Sequence, residues 1–440
     1  MTVPPVTAPQ RPEGAALQRS VLPSGLRVVT EHLPGSRSAA VGMWVAVGSR
    51  DEPAEMAGAA HYLEHLLFKG TTRRSAAMIA EEIDTVGGEL NAFTTKEHTC
   101  FHAHVLEGDL DLAVDLICDV LGDARLDPSD VDLERGVVLE EIAMRDDDPE
   151  EALHDQFCAA LFGSHPLGRP VLGTEESVTG MTREALHHFY RTRYTPERMV
   201  LTVAGNVSHT EVLAAVRRSF GHHLTGCARP VSPRRGQAEI TDRCGLALSP
   251  DSSEQAHLMV GVHAVDRYDE RRYALGVLNA ALGGGMSSRL FQQVREQRGL
   301  AYSVYSAADC YADTGALSVY AGCSPDRLGE VAVVIGAVLT ELARDGLSGS
   351  ELVRAKGQLR GALVLGLEDA PSWMSRIGTA ELDREEHHTI EHELQKIDAV
   401  TIEEVSGLAR ELMSRSLTAA VVGPYADVDQ LPEQIAELIA

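Results

Sequence analysis

Seven cysteines in 440 residues are too few and too scattered for a disulfide framework. They stand at Cys100, Cys118, Cys158, Cys227, Cys244, Cys310 and Cys323. The number is odd and no CxxC pair occurs, which also excludes a zinc ribbon. A reducing, cytoplasmic setting is the simplest expectation. Basic residues are short as well: 39 Lys and Arg face 65 Asp and Glu, for a formal net charge of -26. A nucleic-acid surface needs a basic face, so that class is excluded. The same charge suits solubility and the attraction of cationic peptides. No uninterrupted apolar stretch is long enough to span a bilayer, so no membrane role is expected. The run Gly283-Gly284-Gly285 lacks the Lys-Ser/Thr ending of a P-loop, and no GxGxxG spacing follows a strand. Its use is close backbone approach or a positive φ. The first twenty residues lack the apolar core of a secretory signal. Arg11 and Arg19 with few acids give a faint likeness to a transit peptide, which Pro4, Pro5, Pro9 and Pro12 oppose. A disordered lead-in over residues 1–18 is the expectation.

What is present is a globular chain with 44% hydrophobic residues, too long for one ordinary core. Strand patterns occur at 26–30 and 39–47, and the alternation in Ala40-Val41-Gly42-Met43-Trp44-Val45 predicts a sheet with one covered face. Helical periodicity follows at 57–68 and 76–86, strands at 91–95 and 99–105, then a long helix at 110–121. The second half repeats the order. AHLMVGV at 256–262 echoes 39–45, 273–281 echoes the helix at 57–68, 316–322 echoes 99–105, and 328–339 echoes 110–121. The offset stays near ~218 residues, the mark of a duplicated unit. The expected fold class is α+β: two similar domains, each a mostly antiparallel sheet with helices packed on one face. We place the first domain at 19–220, an exposed linker at 221–237 and the second domain at 238–440. The linker histidines His222 and His223 read as a solvated loop, because the sequence places no carboxylate or third ligand beside them. His387, His388 and His392, among many glutamates, read as a solvated helical face.

The chemistry concentrates in His61-Tyr62-Leu63-Glu64-His65, inside a helical pattern. Residues four apart stack on one helix face, so His61 and His65 can present two imidazoles to one ion. Glu64 borders that face. This HxxEH order reverses the commoner HExxH, and two imidazoles with one carboxylate and an open water position suit zinc. The helix at 134–145 offers three carboxylates for the remaining ligand: Glu134, Glu140 and Glu141. Glu134 and Glu141 are two turns apart on one side, with Val137 and Val138 between them implying burial. Glu140 points about 100° away from Glu141 and reads as solvated or capping. Spacing favours Glu141 as ligand and leaves Glu134 as a supporting or substrate-facing carboxylate.

At these residues the chain resembles the pitrilysin or insulinase family of zinc peptidases, the inverzincins. The resemblance runs from about Arg19 through nearly the whole chain. It rests on HYLEHLLFKGT (61–71), GGELNAFTTKEHT (87–99), ERGVVLEEIAMRDDDP (134–149), HPLGRPVLGTE (165–175) and GGGMSSRLFQQVREQRGLAYS (283–303). The nearest subgroup holds the mitochondrial processing peptidases and their bacterial relatives. The resemblance implies His61, His65 and Glu141 as ligands of one zinc per chain, Glu64 as the general base and Glu134 as an accessory catalytic carboxylate. It implies that Asn91, Ala92, Phe93 and Thr94 form an edge strand to which substrate adds. It implies that Arg295 and Tyr302 grip the substrate backbone, while Arg298 and Tyr305 read as a surface charge and a core-facing strand residue. Cys100 and Arg198 depart from the family pattern without touching this chemistry. The implied activity is hydrolysis of short or unfolded peptides in a closed chamber, a clamshell formed by a homodimer. The alternatives are an idle docking subunit, which usually lacks part of the metal motif, and a hydrolase of another bond, which the ligand set alone would also serve.

Overall fold

A computed structural model describes residues 16–240 and 245–440. Two sheets organise it. The first has strand order β1-β2-β6-β3-β5-β4, from β1 (Ala16–Val21), β2 (Arg27–His32), β3 (Ser38–Val45), β4 (Glu89–Thr94), β5 (Thr99–Leu106) and β6 (Met199–Gly205). The second has order β7-β11-β8-β10-β9, from β7 (Leu246–Pro250), β8 (Ala256–Ala264), β9 (Ala301–Cys310), β10 (Gly315–Cys323) and β11 (Thr418–Gly423). Each sheet is antiparallel except for one parallel pair, β2 with β6 and β7 with β11. With β1 set aside the two orders correspond strand for strand, so the duplication expected from sequence is real.

The helices of the first half are α1 (Ala59–Leu67), α2 (Ala76–Thr85), α3 (Leu110–Gly122), α4 (Pro128–Asp147), α5 (Pro149–Phe162), α6 (Glu175–Gly180), α7 (Arg183–Arg193) and α8 (His209–Ser219). Those of the second are α9 (Arg272–Leu282), α10 (Leu328–Asp345), α11 (Gly349–Leu365), α12 (Ala370–Asp383), α13 (Ile390–Ala399), α14 (Ile402–Met413) and α15 (Glu433–Ile439). Helices of each half cover one face of their own sheet. Val41, Met43 and Val45 of β3 join Tyr62, Leu66 and Ile117 in the first core, and Leu258 and Val260 of β8 join Leu278 and Ile335 in the second.

The other face of each sheet is not bare. Ala40 and Trp44 of β3 and Val200 of β6 pack against Trp373, Met374 and Ile377 of α12, a helix of the second half. In return Met259 of β8 and Ala420 of β11 pack against Leu153, Phe157 and Leu161 of α5, a helix of the first half. The expectation of one covered face for β3 is therefore corrected. Its intervening positions are Ala40, Gly42 and Trp44, none of them charged, and a strand buried on both faces reads as a continuous apolar run.

Two further corrections follow. The expectation of a disordered lead-in over residues 1–18 is corrected at 16–18, because β1 begins at Ala16 and pairs antiparallel with β2; residues 1–15 lie outside the described residues. The histidines at 387–392 are not simply a solvated face. His387 Nε2 lies 2.7 Å from Glu381 Oε2, and Glu381 is fully buried beside Arg19 and Arg27 where α12 meets the first sheet. His388 and His392 do stack, with ring centroids 4.3 Å apart, but His388 precedes α13. The segment 221–237 holds no helix or strand, and its Ala228 and Val231 amides donate to Pro23 and Glu197 carbonyls of the first half. Among the described residues no helix is long and apolar enough to cross a membrane.

Candidate metal centre

The α1 helix opens at Gly58, whose φ of +94° only glycine adopts freely. Buried Glu52 caps it, accepting the Gly58 and Ala60 N–H groups at 2.8 and 2.7 Å. Burial pushes the Glu52 carboxyl up to about 8, against those two hydrogen bonds. The cap was not read from sequence; an acid six and eight residues before its partners has no helical signature. Tyr62, Leu63 and Leu66 bury one face of α1 in the core, and the Tyr62 hydroxyl donates to the Val131 carbonyl of α4. His61 and His65 also turn toward α4, where Glu141 and Glu134 meet them.

There the three ligand atoms converge. His61 Nε2 and His65 Nε2 each lie 3.4 Å from Glu141 Oε2, and all three atoms fall within 4.8 Å of one another. Four tetrahedral ligands bound at about 2.0–2.2 Å stand about 3.4 Å apart, so the two edges that meet at Glu141 have the length found in a zinc site. Glu141 Oε2 is buried and accepts no hydrogen bond among the described residues, as a carboxylate oxygen reserved for a cation would be. Burial and the neighbouring His65 push the His61 imidazole down to about 4, so it is neutral at physiological pH, the form that ligates. The residues present fit a zinc ion.

Glu134 is 2% exposed and lies 3.3 Å from His65 Nδ1 through Oε2. Its other oxygen takes the Lys69 ammonium at 2.7 Å. Lys69, one turn beyond His65, was not singled out from sequence. Between the two carboxylates Val138 is buried, but Val137 is exposed, so the expectation of two buried valines holds for one. Val137 with Leu133 lies on the solvent side of α4. Glu140 is exposed as expected.

Glu64 faces the edge of the first sheet. The Thr94 hydroxyl of β4 donates to Glu64 Oε2 at 2.6 Å. Burial raises the Glu64 carboxyl above its ordinary value, with the Thr94 bond and His65 opposing and Glu141 adding. β4, which carries Asn91, Ala92, Phe93 and Thr94, ends the sheet order and among the described residues pairs only with β5. Beside it a cleft of about 530 Å³ is lined by Phe68, Ile79, Ile83, Leu90 and His102.

Arg295 lies on a π-helical turn, Phe291–Glu296, and Tyr302 is the second residue of β9, the last strand in the order of the second sheet. The Arg295 guanidinium sits 4.8 Å from the Tyr302 ring centroid and 4.9 Å from that of Phe291. Tyr302 is 82% exposed, and among the described residues no hydrogen bond or ion pair joins either residue to the His61 cluster. Arg298 stays on the surface, and Tyr305 turns to α5, donating to Glu150 at 2.7 Å. Gly283 resolves to close approach, since a Cβ there would stand 2.3 Å from the Ser306 amide nitrogen. Cys100 is buried on β5.

This architecture recurs in solved structures over almost the whole chain. A protease from Helicobacter pylori matches with a TM-score of 0.84 at 22% identity, covering 93% of this chain and 99% of its own. A structure from Pseudomonas fluorescens described as a peptidase M16 inactive domain gives 0.82 at 19%, with 95% and 99% covered. The protein thus shares the two-sheet fold of these structures. Sequence makes the assignment finer: the chain belongs to the insulinase family, peptidase family M16. The model "Insulinase (Peptidase family M16)" matches residues 27–175, and "Peptidase M16 inactive domain" matches 180–359. Relatives named as uncharacterized zinc proteases include one from Mycobacterium leprae, 58% identical over 96% of this chain and 95% of its own. Others come from Streptomyces coelicolor, at 49% over 93% and 90%, and Bacillus subtilis, at 40% over 93% and 98%.

Proposed function

We propose that the protein is a zinc-dependent endopeptidase that cleaves short or unfolded peptides. The observation that carries this reading is the convergence of His61, His65 and Glu141 on one point, with Glu64 held beside them. Those three residues would hold one zinc per chain. Bound there, zinc supplies a Lewis acid that polarises the scissile carbonyl and acidifies a water. Glu64 takes the proton from that water and returns it to the leaving amine. Its desolvated carboxylate is a stronger base than a solvated one, and the Thr94 hydroxyl fixes one oxygen while leaving the other for the proton. Glu134 acts on His65, accepting Nδ1–H so that the Nε2 lone pair faces the ligand triangle.

The free edge of β4 takes substrate as an added strand, so affinity comes from backbone hydrogen bonds and side-chain selectivity is loose. Arg295 offers a planar fork of donors and Tyr302 a hydroxyl for the same backbone. Tyr302 stands exposed and Arg295 half-buried on the second half, and among the described residues no hydrogen bond or ion pair joins them to the metal centre of their own chain. This favours a homodimer of the processing-peptidase kind, in which each centre is completed by Arg295 and Tyr302 of a second copy. The closed chamber of such a pair admits extended peptides and excludes folded proteins.

Glu64→Gln tests the chemistry. Turnover of a quenched peptide should fall by about 10²–10⁴-fold, with zinc occupancy of the His61 centre unchanged. Normal cleavage by that variant overturns the reading.

A further inference from the structure

The sequence places no acid beside His222 and His223, but the fold does. Asp123 caps the C-terminus of α3, about a hundred residues earlier in the chain. His222 Nε2 lies 2.8 Å from Asp123 Oδ2, and His223 Nε2 lies 3.2 Å from Asp123 Oδ1. The three ligand atoms all fall within 4.8 Å of one another. The expectation of a plain solvated loop is corrected on this point.

We infer that Asp123, His222 and His223 form a second metal site, separate from the His61 centre, for a divalent ion of the zinc, cobalt or nickel type. Four observations support it. First, the donor set is two imidazoles and one carboxylate, which suits borderline transition metals; magnesium and calcium prefer an all-oxygen shell. Second, the ligands are pre-positioned. The Asp123 amide donates to the Asp119 carbonyl at 2.9 Å, and the Asp123 carbonyl accepts the Thr72 amide at 3.1 Å. The His223 amide closes a turn onto the Phe220 carbonyl at 3.0 Å. Third, the residue before Asp123 is Gly122, where a Cβ would stand 2.5 Å from His223 Nε2. Any side chain there would push the imidazole off the carboxylate. Fourth, the cluster sits at the C-terminus of a 13-residue helix, the end whose partial negative charge favours a cation.

Burial, opposed by Asp123 and helped by His222 and Arg191, lowers the His223 imidazole below its ordinary value. His222 is 60% exposed, which leaves the fourth position open to water and the ion exchangeable. Occupancy would tie the start of the 221–237 segment to the end of α3.

The experiment counts cobalt(II) equivalents bound per full-length chain by equilibrium dialysis and visible spectroscopy. Four proteins are compared: wild type, His222→Gln/His223→Gln, His61→Gln/His65→Gln, and the quadruple variant. Two, one, one and zero equivalents are expected. The surface pair of substitutions keeps a hydrogen-bonding side chain at both positions, so the fold is retained, and Asp123→Asn provides a second route to the same loss. The inference is overturned if the His61→Gln/His65→Gln protein binds no cobalt, or if its equivalent persists after His222 and His223 are replaced. The reading of the His61 centre is judged separately, by whether wild type loses an equivalent when His61 and His65 are replaced.

Discussion

Gly378 of α12 lies against the Trp44 indole of β3, so closely that a Cβ on it would stand 2.2 Å from the ring. The Trp44 indole N–H is spent on Thr202 Oγ1 at 2.9 Å, so the ring cannot swing aside without losing a buried hydrogen bond. Gly378→Val should therefore lift α12 from the sheet, and Trp44→Ala should leave a cavity costing about 3–5 kcal/mol. Urea unfolding monitored by circular dichroism measures both; a change below about 1 kcal/mol for Trp44→Ala would mean that the helix is not tightly seated.

The two carboxylates of α4 should separate in metal retention. Glu141→Gln removes a ligand and should abolish zinc binding at the His61 centre. Glu134→Ala leaves the three ligands but frees His65 to rotate, and affinity should drop by about 10–100-fold. Competition with a chromophoric chelator ranks the variants. Equal affinities for the two would contradict the assignment of Glu134 to a positioning role.

Stripping the metal with 1,10-phenanthroline should stop peptide turnover and lower the thermal midpoint, because an ion that binds only the folded state stabilises it by mass action. Adding zinc back should restore both. Turnover that survives complete removal, checked by mass spectrometry, would argue for non-metal chemistry.

Mixing Glu64→Gln with Tyr302→Phe tests the shared site. In the proposed homodimer each variant alone would be impaired, but a mixed dimer would contain one centre with Glu64 facing the hydroxyl of Tyr302. Partial recovery after exchange of subunits is expected, up to about a quarter of wild type from random pairing of equal amounts, the binomial consequence of a two-fold oligomer. No recovery despite proven exchange counts against completion in trans.

Glu381 sets an acid limit on stability. Burial alone would raise its carboxyl, yet hydrogen bonds from His387 and Arg19 and the charges of Arg19 and Arg27 outweigh that and hold it below the ordinary Glu value. A depressed folded-state pKa gives stability that is full above the unfolded value and is lost as pH falls through the folded one. Glu381→Gln should thus cost most near neutrality, about 3–5 kcal/mol for a broken buried pair, and little in strong acid. Unfolding curves across this range measure the convergence; a cost independent of pH would assign the loss to packing.

Much of this is legible in the sequence. The echo between β3 and β8, or α3 and α10, lies in periodicity, and periodicity is local. His61, Glu64 and His65 were legible for the same reason, since one helical turn fixes their mutual placement. Glu141 was narrower than spacing could decide, because Glu134 shares its side of α4; the geometry separates them by what each oxygen touches. The strand at Ala16 was obscured by its exposed alternate residues and by the prolines before it. The pairing of Asp123 with His222 and His223 was out of reach, because contacts a hundred residues apart leave no periodic trace. The same holds for α5 and α12, whose apolar stripes announce burial but not which sheet receives them.

That last feature reaches beyond packing. A chain holding only one unit of this design would have a bare outer sheet face and a helix with nowhere to sit, and two such chains would cure both defects by trading helices. The present protein is in this sense a domain-swapped pair made permanent by one covalent tether. Cleavage within 221–237 should leave two fragments that hold together, each kept folded by a helix belonging to the other.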